Sequence, residues 1–351
     1  MAEPLAERLL ELVNIPSESR NEQVIADVVL AAVPLPLTHR HEETLLFETP
    51  RREGRPFVLL AGHLDTVPAQ DNIPGRIADG VVHGLGASDM KGGLAVMIEL
   101  ARQVVDGFES DLDLGFLFFP REELAVDESP LPALFDTAPR VLEAGLVIVL
   151  EPTDNTIQAG CLGNLNARVV VHGESAHSAR PWLGRNAIDL ALEQLRAFAG
   201  VAPVDVEVEG LVFREVLSLT GIHGGIAQNV VPGRVEATLN FRYAPTRTAA
   251  DAEARLRELA GRVELEILSN SPPAHVAART PLVERLRAAG GFAIEPKQAW
   301  TPVAEFAARG LDAVNLGPGA TRYAHRADEQ VEIAALERTF EALLRFATGS
   351  V

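Results

Sequence analysis

The chain has 351 residues, 47% hydrophobic and 23% charged, which fits a folded protein of one large or two ordinary domains. A formal net charge of -18 argues against nucleic acid or an anionic membrane as partner, because both are polyanions, although bound divalent cations would cancel part of that charge. The single cysteine, Cys161, leaves no intramolecular disulfide and reads as a small buried residue in a reducing compartment. Met1-Ala2-Glu3-Pro4 lacks the basic and apolar regions of a secretory signal, and no apolar run approaches the roughly 20 residues of a membrane span, so a cytoplasmic protein is expected.

Residues 5–13 carry apolar positions at helical spacing, and Asn14-Ile15-Pro16-Ser17 ends that helix. A second helix is expected over 19–32, with Ser19 as N-cap and Glu22 three residues on. Strands follow at 44–48 and 56–60. The apolar run 57–61 reads as a buried strand that stops abruptly at Gly62-His63-Leu64-Asp65. His and Asp at i and i+2 on extended backbone project to the same side, so Asp65 can orient a metal-bound His63. After the Pro-, Gly- and Asp-rich loop 68–80, a helix over 92–105 opens just beyond Asp89. Three further strands end in polar loops: 112–119 in Pro120-Arg121-Glu122-Glu123, 146–150 in Glu151-Pro152-Thr153, and 313–316 in Gly317-Pro318-Gly319, with His325 shortly after.

Between the second and third of these the texture changes. From Asn164, strands at 166–172, 204–209, 216–220, 235–243 and 263–268 interleave with helices at 186–199 and 249–260, like a split β-α-β-β-α-β module. The expected fold is therefore α/β, a mostly parallel sheet flanked by helices, with an inserted α+β, ferredoxin-like domain. The domains are placed at 1–163 with 270–351, and at 164–269.

Every acidic or imidazole candidate lies just past a strand's carboxyl end or at a helix start, where open α/β sheets hold their ligands. His63, Asp89, Glu122, Glu123, Glu151 and His325 offer imidazole and carboxylate without thiolate, a donor set for Zn²⁺, with Co²⁺ or Mn²⁺ compatible. Two divalent ions balance three carboxylates and a bridging hydroxide better than one ion does. Neighbouring side chains diverge on extended backbone, so of Glu122 and Glu123 one binds metal while the other serves as general base.

Together, Gly62-His63-Leu64-Asp65-Thr66-Val67-Pro68, Gly86-Ala87-Ser88-Asp89-Met90-Lys91-Gly92-Gly93, Glu122-Glu123, Glu151-Pro152-Thr153 and the late His325 resemble the dinuclear zinc deacylase and exopeptidase family. The segments Ala176-His177-Ser178-Ala179-Arg180-Pro181-Trp182 and Val314-Asn315-Leu316-Gly317-Pro318-Gly319 bring the chain nearest to its succinyl-diaminopimelate desuccinylases of actinobacterial type. The resemblance implies that Asp89 bridges two ions, His63 and Glu151 completing one site and Glu123 and His325 the other. It further implies that Asp65 orients His63, that Glu122 is the base, and that the Asp89-Met90 peptide is cis. His177 becomes the oxyanion donor, supplied across a homodimer built on the inserted domain. Asn229 and Arg242 grip the carboxylate and carbonyl of a small N-acyl amino acid, and a guanidinium fork suits a succinyl group. The implied reaction is hydrolysis of N-succinyl-LL-2,6-diaminopimelate by a metal-bridging hydroxide.

The alternatives are a related N-acyl-amino-acid deacylase or a carboxypeptidase, and a non-catalytic binding protein on the same scaffold, against which the intact ligand and base set argues. His83 and His223 match no ligand position. Trp300-Thr301-Pro302-Val303-Ala304-Glu305 stands where many family members carry Gly-Gly-Thr-Ser-Asp.

Overall fold

Seven consecutive buried residues, Phe57–His63, form the strand on which the first half of the chain is built. A run that is apolar on both faces belongs inside a sheet covered on both sides. The computed structural model describes residues 2–105 and 110–349, and the chain forms two units: residues 1–159, 277–295 and 305–351, and residues 160–276 with 296–304.

The chain opens with α1 (Ala2–Val13), α2 (Gln23–Ala32), β1 (Leu37–His41), β2 (Thr44–Glu48) and β3 (Phe57–His63). There follow the short β4 (Arg76–Ala78) and β5 (Val81–His83), then α3 (Lys91–Val105), β6 (Asp113–Phe119), α4 (Leu131–Thr137), β7 (Leu146–Val149) and β8 (Ile157–Cys161). The second unit supplies β9 (Gly163–His172), β10 (Ala176–His177), α5 (Ala187–Gln194), α6 (Arg196–Ala199), β11 (Val204–Val208), β12 (Leu211–Gly224), β13 (Val230–Val231), β14 (Arg234–Tyr243), α7 (Ala249–Ala260) and β15 (Glu264–Ser271). The chain closes with α8 (Pro281–Gly290), β16 (Ile294–Lys297), α9 (Val303–Ala307), β17 (Ala313–Asn315), β18 (Gln330–Glu332) and α10 (Ile333–Thr348).

The principal sheet runs β1-β2-β6-β3-β7-β17-β8-β16. Its centre, β6-β3-β7-β17, is parallel, and β1, β2 and β8 join antiparallel toward the margins. Parallel registration has one consequence for function: β3, β6 and β7 all end at the same edge, with His63 opposite Phe119 and Ala61 opposite Val149. Helix α3 covers this sheet closely. A Cβ on Gly93 would stand 2.5 Å from the Leu150 carbonyl oxygen, so only glycine permits that approach.

In the second unit the order is β11-β12-β14-β9-β15, entirely antiparallel. Alternation decides its faces. Leu165, Ala167, Val169, Leu239 and Phe241 pack against Ala187 and Ala191 of α5 and Ala252 and Leu256 of α7. The intervening residues, Asn164, Asn166, Arg168, Asn240 and Arg242 among them, lie on the opposite face. A capping box of Thr248 and Asp251 starts α7 where helix was expected.

Four expectations need adjustment. Ser19 does not cap α2, which begins at Gln23 after Glu22; its hydroxyl donates instead to Asp65 at 2.7 Å. The helix expected over 186–199 is two pieces broken at Leu195. The strand expected at 216–220 extends over fourteen residues, Leu211–Gly224. Residues 296–304 group with the second unit, not with the C-terminal part of the first. Gln298 takes the Arg214 N–H and donates to the Val212 carbonyl, and the Trp300 indole donates to the Pro272 carbonyl.

Glu305 on α9 accepts the Ser129 hydroxyl at 2.9 Å, and burial pushes its carboxyl from 4.5 up to about 7. The folded state thus holds a proton that the unfolded chain releases near 4.5, so stability falls as pH rises between about 4.5 and 7. Glu305→Gln, which keeps the shape without the charge, is expected to gain about 3 kcal/mol over wild type at pH 8.5 and almost nothing at pH 4. Urea unfolding midpoints at the two pH values measure this.

Candidate metal centre

The chain leaves β3, β6 and β7 on one edge, and each exit carries an acid or an imidazole. His63, the last residue of β3, is 1% exposed. Its Nε2 lies 3.2 Å from Asp89 Oδ1 and 3.8 Å from Glu151 Oε1. The Nε2 of His325 lies 3.0 Å from Glu123 Oε1 and 3.5 Å from Asp89 Oδ2. The two oxygens of Asp89 therefore each face a different imidazole. Donor atoms of His63, Asp89 and Glu123 fall within 4.8 Å of one another, as do those of His63, Glu122 and Glu151.

Asp65 is fully buried and makes more contacts than the His-x-Asp spacing foretells. One carboxylate oxygen accepts the Glu122 N–H at 3.0 Å; the other accepts the Glu123 N–H at 3.1 Å and the Ser19 hydroxyl. His63 Nδ1 is 3.0 Å from the Asp65 carbonyl oxygen and 3.5 Å from its carboxylate, so both ends of Asp65 face the ring. Asp65 thus ties the end of β3 to the glutamate pair after β6. Arg121, just before that pair, adopts a left-handed φ of 64° that turns the chain.

The peptide Asp89–Met90 is cis, as the resemblance implies. The loop around it is held by a residue that sequence reasoning missed. Glu329, 2% exposed, accepts the N–H groups of Ser88 and Asp89 on one oxygen and of Gly86 on the other, at 2.9–3.0 Å. Burial pushes the Glu329 carboxyl up to about 7 against the pull of those N–H bonds. Its place four residues after His325 is the one sequence signal that could have marked it.

The electrostatics follow from concentrating acids away from water. Burial alone would lower the His63 pKa, but Asp65 and Asp89 overcome it and hold it well above 6.5. Hydrogen bonds to Asp89 and Glu123 push His325 up to about 10. Burial would raise Asp89, yet the two imidazoles hold it below the usual carboxylate range. Glu122 goes the other way: burial, then the charges of Glu151, Glu123 and Asp89, raise it well above 4.5. Four carboxylates around two imidazoles make a site with excess negative charge, nitrogen and oxygen donors and no thiolate. Such a set fits two divalent cations on either side of a shared aspartate.

The other expected residues lie in the second unit. His177 on β10 pairs with Val230 on β13, and the Ser178 N–H donates to the Asn229 carbonyl at 2.9 Å, so His177 and Asn229 are neighbours. The Ala179 N–H donates to His177 Nδ1 at 3.0 Å, which leaves Nε2 as the proton-bearing nitrogen of the neutral ring. Arg242 on β14 donates from Nε to Asn240 Oδ1 at 2.9 Å. His83 lies on β5 and His223 on β12, outside both metal-type groups. Cys161 is buried, its thiol pushed up to about 11 by that burial.

Residues 59–349 match the sequence model of peptidase family M20/M25/M40. A Mycobacterium tuberculosis protein provisionally named succinyl-diaminopimelate desuccinylase is 37% identical over 345 residues, covering 96% of either chain. The succinyl-diaminopimelate desuccinylase of Corynebacterium glutamicum is 36% identical over 333 residues, covering 92% of this chain and 90% of its own. Among solved structures, a Bacillus cereus aminopeptidase superposes with a TM-score of 0.79 at 20% identity, over 99% of this chain and 98% of its own. A dinuclear metal-binding M20 peptidase of Bacillus subtilis gives 0.72 at 15%, over 99% and 97%. At those identities the structural likeness speaks to the fold.

Glu329→Gln replaces one of the two accepting oxygens by an NH₂ group, which can only face a backbone N–H donor to donor. A loss of about 2 kcal/mol in unfolding free energy is expected, together with a drop in bound divalent metal, because the loop carrying Asp89 loosens. Urea titration and metal analysis after gel filtration measure the two effects.

Proposed function

This chain belongs to peptidase family M20/M25/M40, and from that premise we propose that it is the metal-dependent amide hydrolase that removes succinate from N-succinyl-LL-2,6-diaminopimelate. The reading rests above all on Asp89, whose two oxygens face His63 on one side and His325 on the other. In it, His63 and Glu151 hold one ion, Glu123 and His325 the second, and Asp89 both. Zinc is the metal we assign, with cobalt and manganese compatible.

Bound there, two divalent cations would acidify a water between them and polarise the amide carbonyl. Glu122 is the base. Next to the ligand donors but assigned to neither ion, its carboxylate takes a proton from the attacking water and passes it to the departing amine. The water oxygen bonds to the acyl carbon, the C–N bond breaks, and succinate and a free amine leave. Asp65 keeps Glu122 and Glu123 in register through their own N–H groups. His177 Nε2–H, oriented by the Ala179 bond at Nδ1, is the donor for the oxyanion, a contribution worth about 3 kcal/mol in comparable sites. Asn229 and Arg242 receive the substrate's carbonyl and carboxylate.

The working form in this reading is a homodimer. Residues 216–224 of β12 pair on one side only among the described residues; Leu219 and Ile222 are exposed along that stretch and Ile226 just beyond it. A second copy covering this edge satisfies its backbone and delivers its His177. The acidic charge and the absence, among the described residues, of any helix long and apolar enough to cross a membrane support a cytoplasmic enzyme of small molecules.

Glu122→Ala is expected to lower kcat by about 10²- to 10⁴-fold while two metal equivalents stay bound; retained turnover would remove Glu122 from the base role. Chelation should abolish activity and zinc restore it. A panel of N-succinyl and N-acetyl amino acids and dipeptides, ranked by kcat/KM, tests the substrate. Preference for an acetylated amino acid or a peptide would move the protein to the deacylase or carboxypeptidase reading.

A further inference from the structure

The polar face of the second unit's sheet carries an arrangement that packing does not call for. Arg242 sits half-buried on β14, with Asn164 of β9 and Val216 of β12 as its cross-strand neighbours. Among the described residues it makes no ion pair, and the ionisable group that bears on it is the buried Cys161 thiol, not a carboxylate. Acids on this face are engaged elsewhere: Glu236 and Glu266 by Arg168, Glu264 by His172 and Asp205 by Arg214. The bond from Arg242 Nε goes to a neutral amide, Asn240 Oδ1.

That bond sets the orientation of everything behind it. A guanidinium only donates, so Asn240 must turn its oxygen to Arg242 and its NH₂ away. The NH₂ then donates to Asn164 Oδ1 at 2.7 Å and Asn166 Oδ1 at 2.8 Å. Asn166, its oxygen used, donates in turn to the Ser269 hydroxyl at 3.0 Å. The result is a one-way chain of hydrogen bonds across three adjacent strands, β14, β9 and β15, in which donation starts at the arginine and ends on the Ser269 hydroxyl. Amides hold the guanidinium without cancelling its charge, as Asp or Glu would, and its two Nη groups stay available as a fork for a carboxylate.

We infer that Asn240, backed by Asn164 and Asn166, is a positioning residue that aims Arg242 at a carboxylate on the acyl group and so selects dicarboxylic over simple acyl substrates. The inference rests on the reading of Arg242 as a substrate ligand. Asn240 touches no reacting atom; it acts through the arginine, and its effect belongs in substrate binding.

The test uses the full-length, zinc-loaded enzyme and one amine carrying either a succinyl or an acetyl group. Arg242→Ala comes first: it should raise KM for the succinyl substrate by about tenfold or more, and by clearly less for the acetyl substrate, which lacks the acyl carboxylate. Asn240→Ala should give a smaller change of the same kind, KM up about fivefold with kcat within about twofold, and should add nothing in the Arg242→Ala background. Asn240→Asp keeps an acceptor for Nε but brings a negative charge, so it too should lose preference for the succinyl substrate. Asn164→Ala, one bond farther from the arginine, supplies a milder variant should Asn240 substitutions unfold the sheet, as thermal melts would reveal. If Arg242→Ala leaves KM unchanged, the ligand reading of Arg242 fails and this inference with it. If Arg242→Ala raises KM but Asn240→Ala and Asn164→Ala do not, or Asn240→Asp selects as wild type does, the positioning chain alone is overturned.

Discussion

A carboxylate shared between two imidazoles is the constraint on which the first unit depends. Asp89 faces His63 with one oxygen and His325 with the other, and those histidines lie more than two hundred and fifty residues apart in the chain. Bringing them together concentrates Asp89, Glu122, Glu123 and Glu151 in a space poor in water, where unpaired charge is costly. The same crowding of acids raises the proton affinity of both imidazoles and of Glu122. Two divalent ions would offset the same negative charge directly.

Holding Asp89 and the glutamates in that arrangement falls to residues that carry none of the chemistry themselves. Glu329 receives three N–H groups from the Asp89 loop, and Asp65 receives the N–H groups of Glu122 and Glu123. Both devices use a buried carboxylate as a template for backbone, so the main chain that carries Asp89, Glu122 and Glu123 is fixed by hydrogen bonds as well as by strand register. Ser19 joins this framework through Asp65, far from any helix-capping duty. The same economy recurs in the second unit, where neutral amides orient Arg242 and leave its charge available for an anion.

How much of this was legible beforehand depends on whether the determining interactions are local. Helix α7, with its Thr248–Asp251 capping box, and strand β2 fell at the expected residues because apolar spacing and end signals lie within a few positions of each other. The strand exits at His63, Glu123 and Glu151 were readable for a similar reason: a buried run that stops at a polar residue marks a parallel strand's carboxyl end. Family resemblance, not spacing, supplied the pairing of His63 with His325, the cis peptide at Asp89 and the roles of His177, Asn229 and Arg242.

Composition and motif order by themselves determined an acidic, cysteine-poor α/β protein with an interrupted sheet and a nitrogen- and oxygen-rich donor set. Tertiary structure alone decided that Ser19 serves Asp65, that Glu329 templates the Asp89 loop, that residues 296–304 join the second unit, and that Asn164, Asn166 and Asn240 line up behind Arg242. Apart from the Arg242–Asn240 bond, each of these rests on hydrogen bonds between segments remote in sequence, whose partners are chosen by strand register and burial. A polar side chain looks the same in a sequence whether it ends in solvent or in a buried network; only the packed chain brings its acceptor within 3 Å.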